Sequence, residues 1–262
     1  VDLVTNPPAF MVAIPTTSGT GSEVTRASVI CIPEENRKSG VQSPMMIPPV
    51  AIVDPTLTYN IPQRMTAMTA IDAFSHAVES YMSRKASYLS DIYATESLKM
   101  IHRSIREVYA NGKNCEARNN IALASHLAGA SLANAGGGLV HGVAHAIGAR
   151  YHIPHGEAIA IAIAAVSEFN VIGNPAKYGN LARLLGKNTD GMDKVRAANL
   201  GVEAIREILE DINLNLKASD FGAKNDDIDA LATVIINDKR LLGNNVRDVN
   251  LDDVRFLLKQ MI

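Results

Sequence analysis

Gln63-Arg-Met-Thr-Ala-Met-Thr-Ala-Ile-Asp-Ala-Phe-Ser-His-Ala-Val-Glu-Ser-Tyr-Met-Ser83 is where the texture of the chain changes. From Gln63 onward, runs of β-branched residues nearly vanish and apolar residues recur at a helical period. The spacing predicts helices over Gln63–Ser83, Ser90–Ala110, Cys115–Asn134, Val140–Tyr151, Glu157–Ile172, Pro175–Leu185, Asp193–Asp211, Asp226–Asp238 and Leu251–Met261. Asn250, followed by Leu251-Asp252-Asp253, is a good N-cap with acids in the first turn. Before Gln63 the pattern is different. Met11–Ile14, Ser28–Ile32 and Val50–Val53 are short apolar runs closed by proline or Asp-Pro, the signal of strands. The segment from Arg37 to Pro49 carries Gly40, Pro44, Pro48 and Pro49 and cannot be a continuous helix. The expected fold is therefore mainly α. Residues 1–60 form a β-rich piece of a larger α/β domain and residues 61–262 an all-helical domain, joined near Tyr59-Asn60-Ile61-Pro62.

The bulk numbers exclude several classes. Among 262 residues, 47% are hydrophobic and 20% charged, which suits a globular chain with a sizeable core. A formal net charge of −2 offers no basic field to nucleic acid or to an anionic membrane surface. The most apolar run, Ala158 to Val166, is far shorter than the ~20 residues that cross a bilayer, and reads as a buried helix. Val1-Asp2-Leu3 carries no basic stretch followed by an apolar one, so no signal peptide is read. The two cysteines, Cys31 and Cys115, are too few and too widely spaced for a disulfide framework, and free thiols in a cytoplasmic protein are expected.

Chemistry enters with the histidines. Asp72 and His76 stand four residues apart, so they share one helix face and could offer oxygen and imidazole to a divalent metal. On its own the pair reads more simply as an exposed Asp–His contact. A second cluster changes that balance. In Gly138-Leu-Val-His-Gly-Val-Ala-His-Ala-Ile-Gly148, His141 and His145 again share a helix face, and His152 and His155 follow in Tyr151-His-Ile-Pro-His-Gly156. Four histidines in an apolar, glycine-rich setting, with an Asp/His pair elsewhere, favour a metal site. The loop Pro15-Thr-Thr-Ser-Gly-Thr-Gly-Ser-Glu23 follows the first strand. Its hydroxyl and glycine residues could wrap a phosphate or nucleotide. It matches neither the dinucleotide glycine fingerprint nor a Walker loop, and a plain loop fits its composition equally well.

Taken together these segments resemble the iron-containing alcohol dehydrogenases, the family of the propanediol, lactaldehyde and butanol dehydrogenases. The resemblance runs over nearly the whole chain. It rests on Ile14-Pro-Thr-Thr-Ser-Gly-Thr-Gly-Ser-Glu-Val-Thr25, Ala51-Ile-Val-Asp-Pro55, Asp72-Ala-Phe-Ser-His76, Asn134-Ala-Gly-Gly-Gly-Leu-Val-His-Gly-Val-Ala-His145 and Tyr151-His-Ile-Pro-His-Gly156. It implies a metal held by Asp72, His76, His141 and His155, with Fe2+ expected and Zn2+ the alternative. It implies an NAD or NADP cofactor lined by Thr16, Thr17, Ser18, Gly19 and Thr20, with Lys38 near it and Leu57 in a segment that packs along it. The reaction implied is reversible hydride transfer between a primary alcohol or diol and the nicotinamide, in a homodimeric enzyme without nucleic-acid or membrane partners. His145 is expected in the proton relay or beside the nicotinamide, the alternative being a histidine that orients a ligand. His126 and His152 are expected to be structural or exposed, and His102 has no claim.

Departures from the family pattern set further expectations. Family members carry a preceding segment with a Gly-Gly-Gly-Ser loop that grips the pyrophosphate. These 262 residues hold no such loop, so the front piece reads as the tail of a larger domain and weak NAD(H) binding is expected. Asn244-Asn-Val-Arg247 stands where an Asn-Pro-Arg turn is usual, so a looser turn is expected there. Gly137 either opens volume for larger alcohols or, with Gly136 and Gly138, permits a tight helix-to-helix turn. Competing readings are a glycerol-dehydrogenase-like or dehydroquinate-synthase-like enzyme on the same scaffold, and a metal-binding domain without activity.

Overall fold

A computed structural model describes Val4, residues 6–32 and residues 37–262, with the backbone alone for Cys31 and residues 37–39. Its centre is α1 (Gln63–Met82), which starts after Pro62 and is buried without interruption from Ala70 to its end. A helix covered on all sides must lie inside other helices. α2 (Tyr88–Ala110), α3 (Cys115–Ala135) and α5 (His155–Asn170) pack around it. Phe74 and Ile71 on α1 are wholly buried. Burying each such side chain favours folding by about 1.5–3 kcal/mol.

The helix starts follow capping chemistry. Ser87 and Ser90 form a reciprocal capping box that begins α2 two residues before the predicted start. Asn114 caps α3 through Ala117 N–H at 3.1 Å. α4 (Leu139–Tyr151) and α5 pack against each other, as do α6 (Pro175–Leu184) and α7 (Lys194–Asp211). α8 (Ile228–Asn237) meets α10 (Leu251–Met261), whose expected Asn250 cap is a capping box with Asp253. Between them lies α9 (Lys239–Leu242), a single turn that the apolar period does not announce. The segment His155–Gly173 is long and apolar enough to cross a membrane, but 67% of it is buried inside the molecule, as a core helix would be.

The strands are fewer and shorter than the helices. β1 (Val12–Ala13) pairs in parallel with β4 (Val50–Ala51), Val12 opposite Val50. Between them β2 (Ala27–Ile32) and β3 (Arg37–Gln42) form an antiparallel hairpin, Ala27 opposite Gln42 and Ile32 opposite Arg37. β3 is the one strand that the sequence reading left unassigned. It has no β-branched run, and pairing with β2 defines it. The Pro15–Glu23 loop then rides directly on α3. Gly21 adopts a left-handed conformation (φ 58°), and a Cβ there would lie 2.5 Å from the Gly129 Cα. Only two glycines allow backbones this close.

The Asn244–Arg247 turn is tied down rather than loose. Asn245 exchanges two amide hydrogen bonds with Asn170, each 2.8 Å, and the Asn244 amide donates to Gly137 O at 2.9 Å. Side-chain amides supply here the constraint expected from a proline.

Candidate metal centre

Four sequence-predicted residues from three helices meet at one point. Asp72 and His76 lie one turn apart on α1, His141 lies in the first turn of α4, and His155 is the first residue of α5 after Pro154. Around the Asp72 Oδ1 atom stand three imidazole nitrogens: His76 Nε2 at 3.6 Å, His141 Nε2 at 3.6 Å and His155 Nε2 at 3.4 Å. The candidate ligand atoms of Asp72, His141 and His155 all lie within 4.8 Å of one another. Asp72 Oδ1 and His141 Nε2 are buried with no hydrogen-bond partner. Buried polar atoms left so are costly unless something else satisfies them. Donors ~2.1 Å from one tetrahedral ion lie about 3.4 Å apart. The donor set therefore fits a divalent ion: too far apart to bond one another, and at the right separation to share a centre.

The outward-facing ring nitrogens are oriented by neighbours. His76 Nδ1 donates to the Gly19 carbonyl at 3.3 Å, which ties the ring to the Pro15–Glu23 loop and turns Nε2 toward Asp72. His141 Nδ1 contacts the Glu79 carboxylate. Glu79 is the site residue that the sequence reading passed over. It stands seven residues after Asp72 and three after His76, so the i, i+4, i+7 spacing on α1 was the available signal. His145 lies at the wall of the same cleft, its ring 5.6 Å from that of His155 and 5.9 Å from that of His141.

Electrostatics follow from the crowding. Burial opposes charge on Asp72, but His76 beside it and contacts from His141 and His155 hold its carboxyl well below the usual range. Burial drives His76 down to about 4. At neutral pH it therefore faces Asp72 as a neutral ring. Burial opposes charge on His141 too, yet the Glu79 and Asp72 carboxylates outweigh it and push the ring up to about 10.

The residues expected along a nucleotide are distributed less tightly. Thr20 lines the roughly 440 Å³ cleft that reaches the histidines. Thr16 is exposed, Thr17 half-buried, and Ser18 and Gly19 buried against the helices. None of these four lines the cleft. Leu57, 46% exposed in the turn Pro55–Thr58, is also outside it. Lys38 lies on β3, and its side chain is outside the described residues. His126 is structural: it pairs with buried Glu23 at 3.1 Å and so pins the loop to α3. His152 is exposed at the left-handed C-cap of α4. Gly137 lines the cleft, while the positive φ of the α3–α4 turn falls on its neighbour Gly136.

Comparison with known proteins agrees with this geometry. Residues 66–262 match the model of the Fe-containing alcohol dehydrogenase family, C-terminal, and residues 2–55 that of iron-containing alcohol dehydrogenase. The chain is 38% identical to the sulfoacetaldehyde reductase of Bilophila wadsworthia over 99% of its own length and 67% of the relative's. It is 38% identical to the 1,3-propanediol dehydrogenase of Citrobacter freundii, over 93% of its own length and 63% of the relative's. The solved alcohol dehydrogenase from Oenococcus oeni superposes with a TM-score of 0.96 at 37% identity, over 99% of this chain and 68% of that one. The chain thus spans about two thirds of the length of these relatives. With both family models matched in order and the histidine cluster assembled, the chain belongs to the iron-containing alcohol dehydrogenase family.

Proposed function

We propose that Asp72, His76, His141 and His155 hold one divalent ion, iron with zinc as the alternative, in an NAD(P)-linked enzyme that interconverts a primary alcohol or diol and its aldehyde. The observation that carries this is the ring of three imidazole Nε2 atoms at 3.4–3.6 Å around one unpartnered carboxylate oxygen. When bound, such an ion supplies Lewis-acid polarisation of the substrate oxygen. The chain's own residues supply the rest. Among the described residues Asp72 contributes the only acidic side chain of the cleft, so the centre stays electropositive toward an alkoxide. His145 at the cleft wall holds or moves the hydroxyl proton. Thr20, at the same wall, faces the nicotinamide side, with Thr16, Thr17, Ser18, Gly19, Lys38 and Leu57 along the rest of the cofactor. In this reading residues 1–60 belong to the dinucleotide-binding domain and residues 61–262 form the metal domain of a cytoplasmic homodimer. The test is metal analysis of the purified protein and of H141A. About one ion per chain is expected, with its loss in H141A; unchanged metal content would sink the assignment.

A second feature narrows the substrate. Arg26, Lys85 and Arg240 line the cleft, and none of the three has an ion-pair partner among the described residues. Three cations against one acid that is itself a proposed ligand favour an aldehyde or alcohol carrying an anionic group. The relative named sulfoacetaldehyde reductase is consistent with that reading. Arg240→Gln should raise KM for sulfoacetaldehyde several-fold and leave KM for propanal unchanged. Equal effects on both would remove the anionic reading.

A further inference from the structure

Glu79 is the buried acid beside the metal centre that is not among its proposed ligands. It is 8% exposed. Its Oε1 accepts from Val140 N–H at 2.7 Å, with His141 N–H at 3.4 Å, so it caps the first turn of α4 from across the helix interface. Its Oε2 accepts from the His141 ring. The two oxygens thus grip one residue's backbone and side chain together. The space for them is provided by the chain itself: a Cβ on Gly138 would stand 3.1 Å from Oε1, and one on Gly137 would stand 3.6 Å from Oε2.

We propose that Glu79 is a positioning residue that fixes both the place and the tautomer of His141, holding the proton on Nδ1 so that Nε2 presents its lone pair toward Asp72. The inference rests on His141 being a metal ligand. Its logic is that of hydrogen-bond inventory. A carboxylate oxygen only accepts, so the nitrogen facing it must donate. A neutral imidazole that donates through Nδ1 leaves Nε2 bare, as ligation requires, and such outer partners orient the ring and strengthen its basicity. The same carboxylate ties the start of α4 to α1, so the ligands of two helices are set by one side chain.

Glu79→Gln separates this role from simple helix capping. If the amide oxygen keeps the cap on Val140 N–H, the NH2 group faces His141 Nδ1. That nitrogen must then accept, and the proton moves to Nε2, where it blocks ligation. Affinity for Zn2+, measured by chelator competition on the purified chain, is expected to fall ten- to a hundredfold in E79Q. Circular dichroism should show a folded protein. A second measurement needs no variant. In the zinc-loaded, 15N-histidine-labelled wild type, long-range 1H–15N spectra should show His141 protonated on Nδ1. A His141 bare on Nδ1 would overturn the proposal, and so would E79Q binding zinc within threefold of wild type. H141A distinguishes the two failures. If it loses zinc while E79Q does not, the metal centre stands and the Glu79 role falls. If H141A keeps zinc, the metal reading falls first.

Discussion

The described residues up to Asn60 and the helical body after them treat apolar side chains in opposite ways. The buried apolar cluster of the molecule begins at Ala67 and runs to Met261, with no described residue before Ala67 among its members. In the front piece Phe10 is 75% exposed, Ile30 52% and Ile52 47%. The body therefore carries the hydrophobic driving force within its own residues. The front holds to it through polar and backbone contacts: Glu23 with His126, Gly21 on Gly129, and Tyr59 Oη donating to Asn119 at 3.0 Å. The difference teaches that the histidine cluster and the Pro15–Glu23 loop are stabilised by different physics. The proposed metal ligands sit on helices locked by packing. The loop that touches His76 through Gly19 is seated by a few specific contacts.

The sharpest way to break this comparison is to attack the body. Phe74 is wholly buried on α1, and Phe74→Ala leaves a cavity among helices that cannot collapse independently. The expected loss is about 3–5 kcal/mol in urea unfolding. A loss near that of a surface substitution would mean that α1 is not the centre of the core.

The same contrast explains what was legible in the sequence. Nine of the helices announced themselves because a helix closes its own hydrogen bonds and shows its buried face at a local period. The predicted start of α5 was late by two residues, since Pro154 ends the preceding turn and His155 can then begin the helix. β3 stayed hidden because strands find partners at a distance. Arg37–Gln42 holds a glycine and four polar or charged residues, and only β2 makes it a strand. At the site, spacing paired Asp72 with His76 and gathered His141, His145, His152 and His155 in a second cluster, while the set Asp72, His76, His141 and His155 came from the family resemblance. What the spacing could not reveal was that α1 reaches α4 closely enough for Glu79 to grip His141. That is a tertiary contact with a separation of 62 residues.

The junction between the two regions can be opened without touching either interior. A Cβ on Gly129 would lie 2.7 Å from the Gly21 Cα and 2.9 Å from its carbonyl oxygen. Backbone cannot yield as a flexible side chain can, so Gly129→Ala should lift the Pro15–Glu23 loop off α3 at a cost of about 1–3 kcal/mol. Limited proteolysis should show new cleavage within that loop while the helical body persists. Intact loop protection would mean that α3 shifts instead. His126→Ala tests the polar half of the same junction. It removes the partner of Glu23, which is only 4% exposed, and should cost about 1 kcal/mol. The double variant with Glu23→Gln should recover part of that loss, because a neutral amide is less costly to bury unpaired than a carboxylate. No recovery would show that the ring itself, rather than its contact with the carboxylate, seats the loop.

The smallest effect is expected on the exposed apolar face, and it is the most informative about what the front does. Phe10 precedes β1 and is 75% exposed, outside the continuous core. A side chain that buries little area contributes little to folding, since stabilisation scales with the area removed from water. Phe10→Ser should therefore change unfolding free energy by no more than about 0.5 kcal/mol. Exposed apolar side chains near strand edges also favour self-association, because unpaired backbone groups and apolar area are presented together. β1 has a partner on one side, β4, and Phe10 stands two residues before it. Light scattering at rising protein concentration should then show less self-association for Phe10→Ser than for wild type, at unchanged unfolding midpoint. A lowered midpoint would mean that Phe10 packs in solution and that the front piece has a core of its own. An unchanged midpoint with unchanged scattering would assign the association surface to other exposed apolar residues of the front piece, Val29 and Ile30 on the hairpin first.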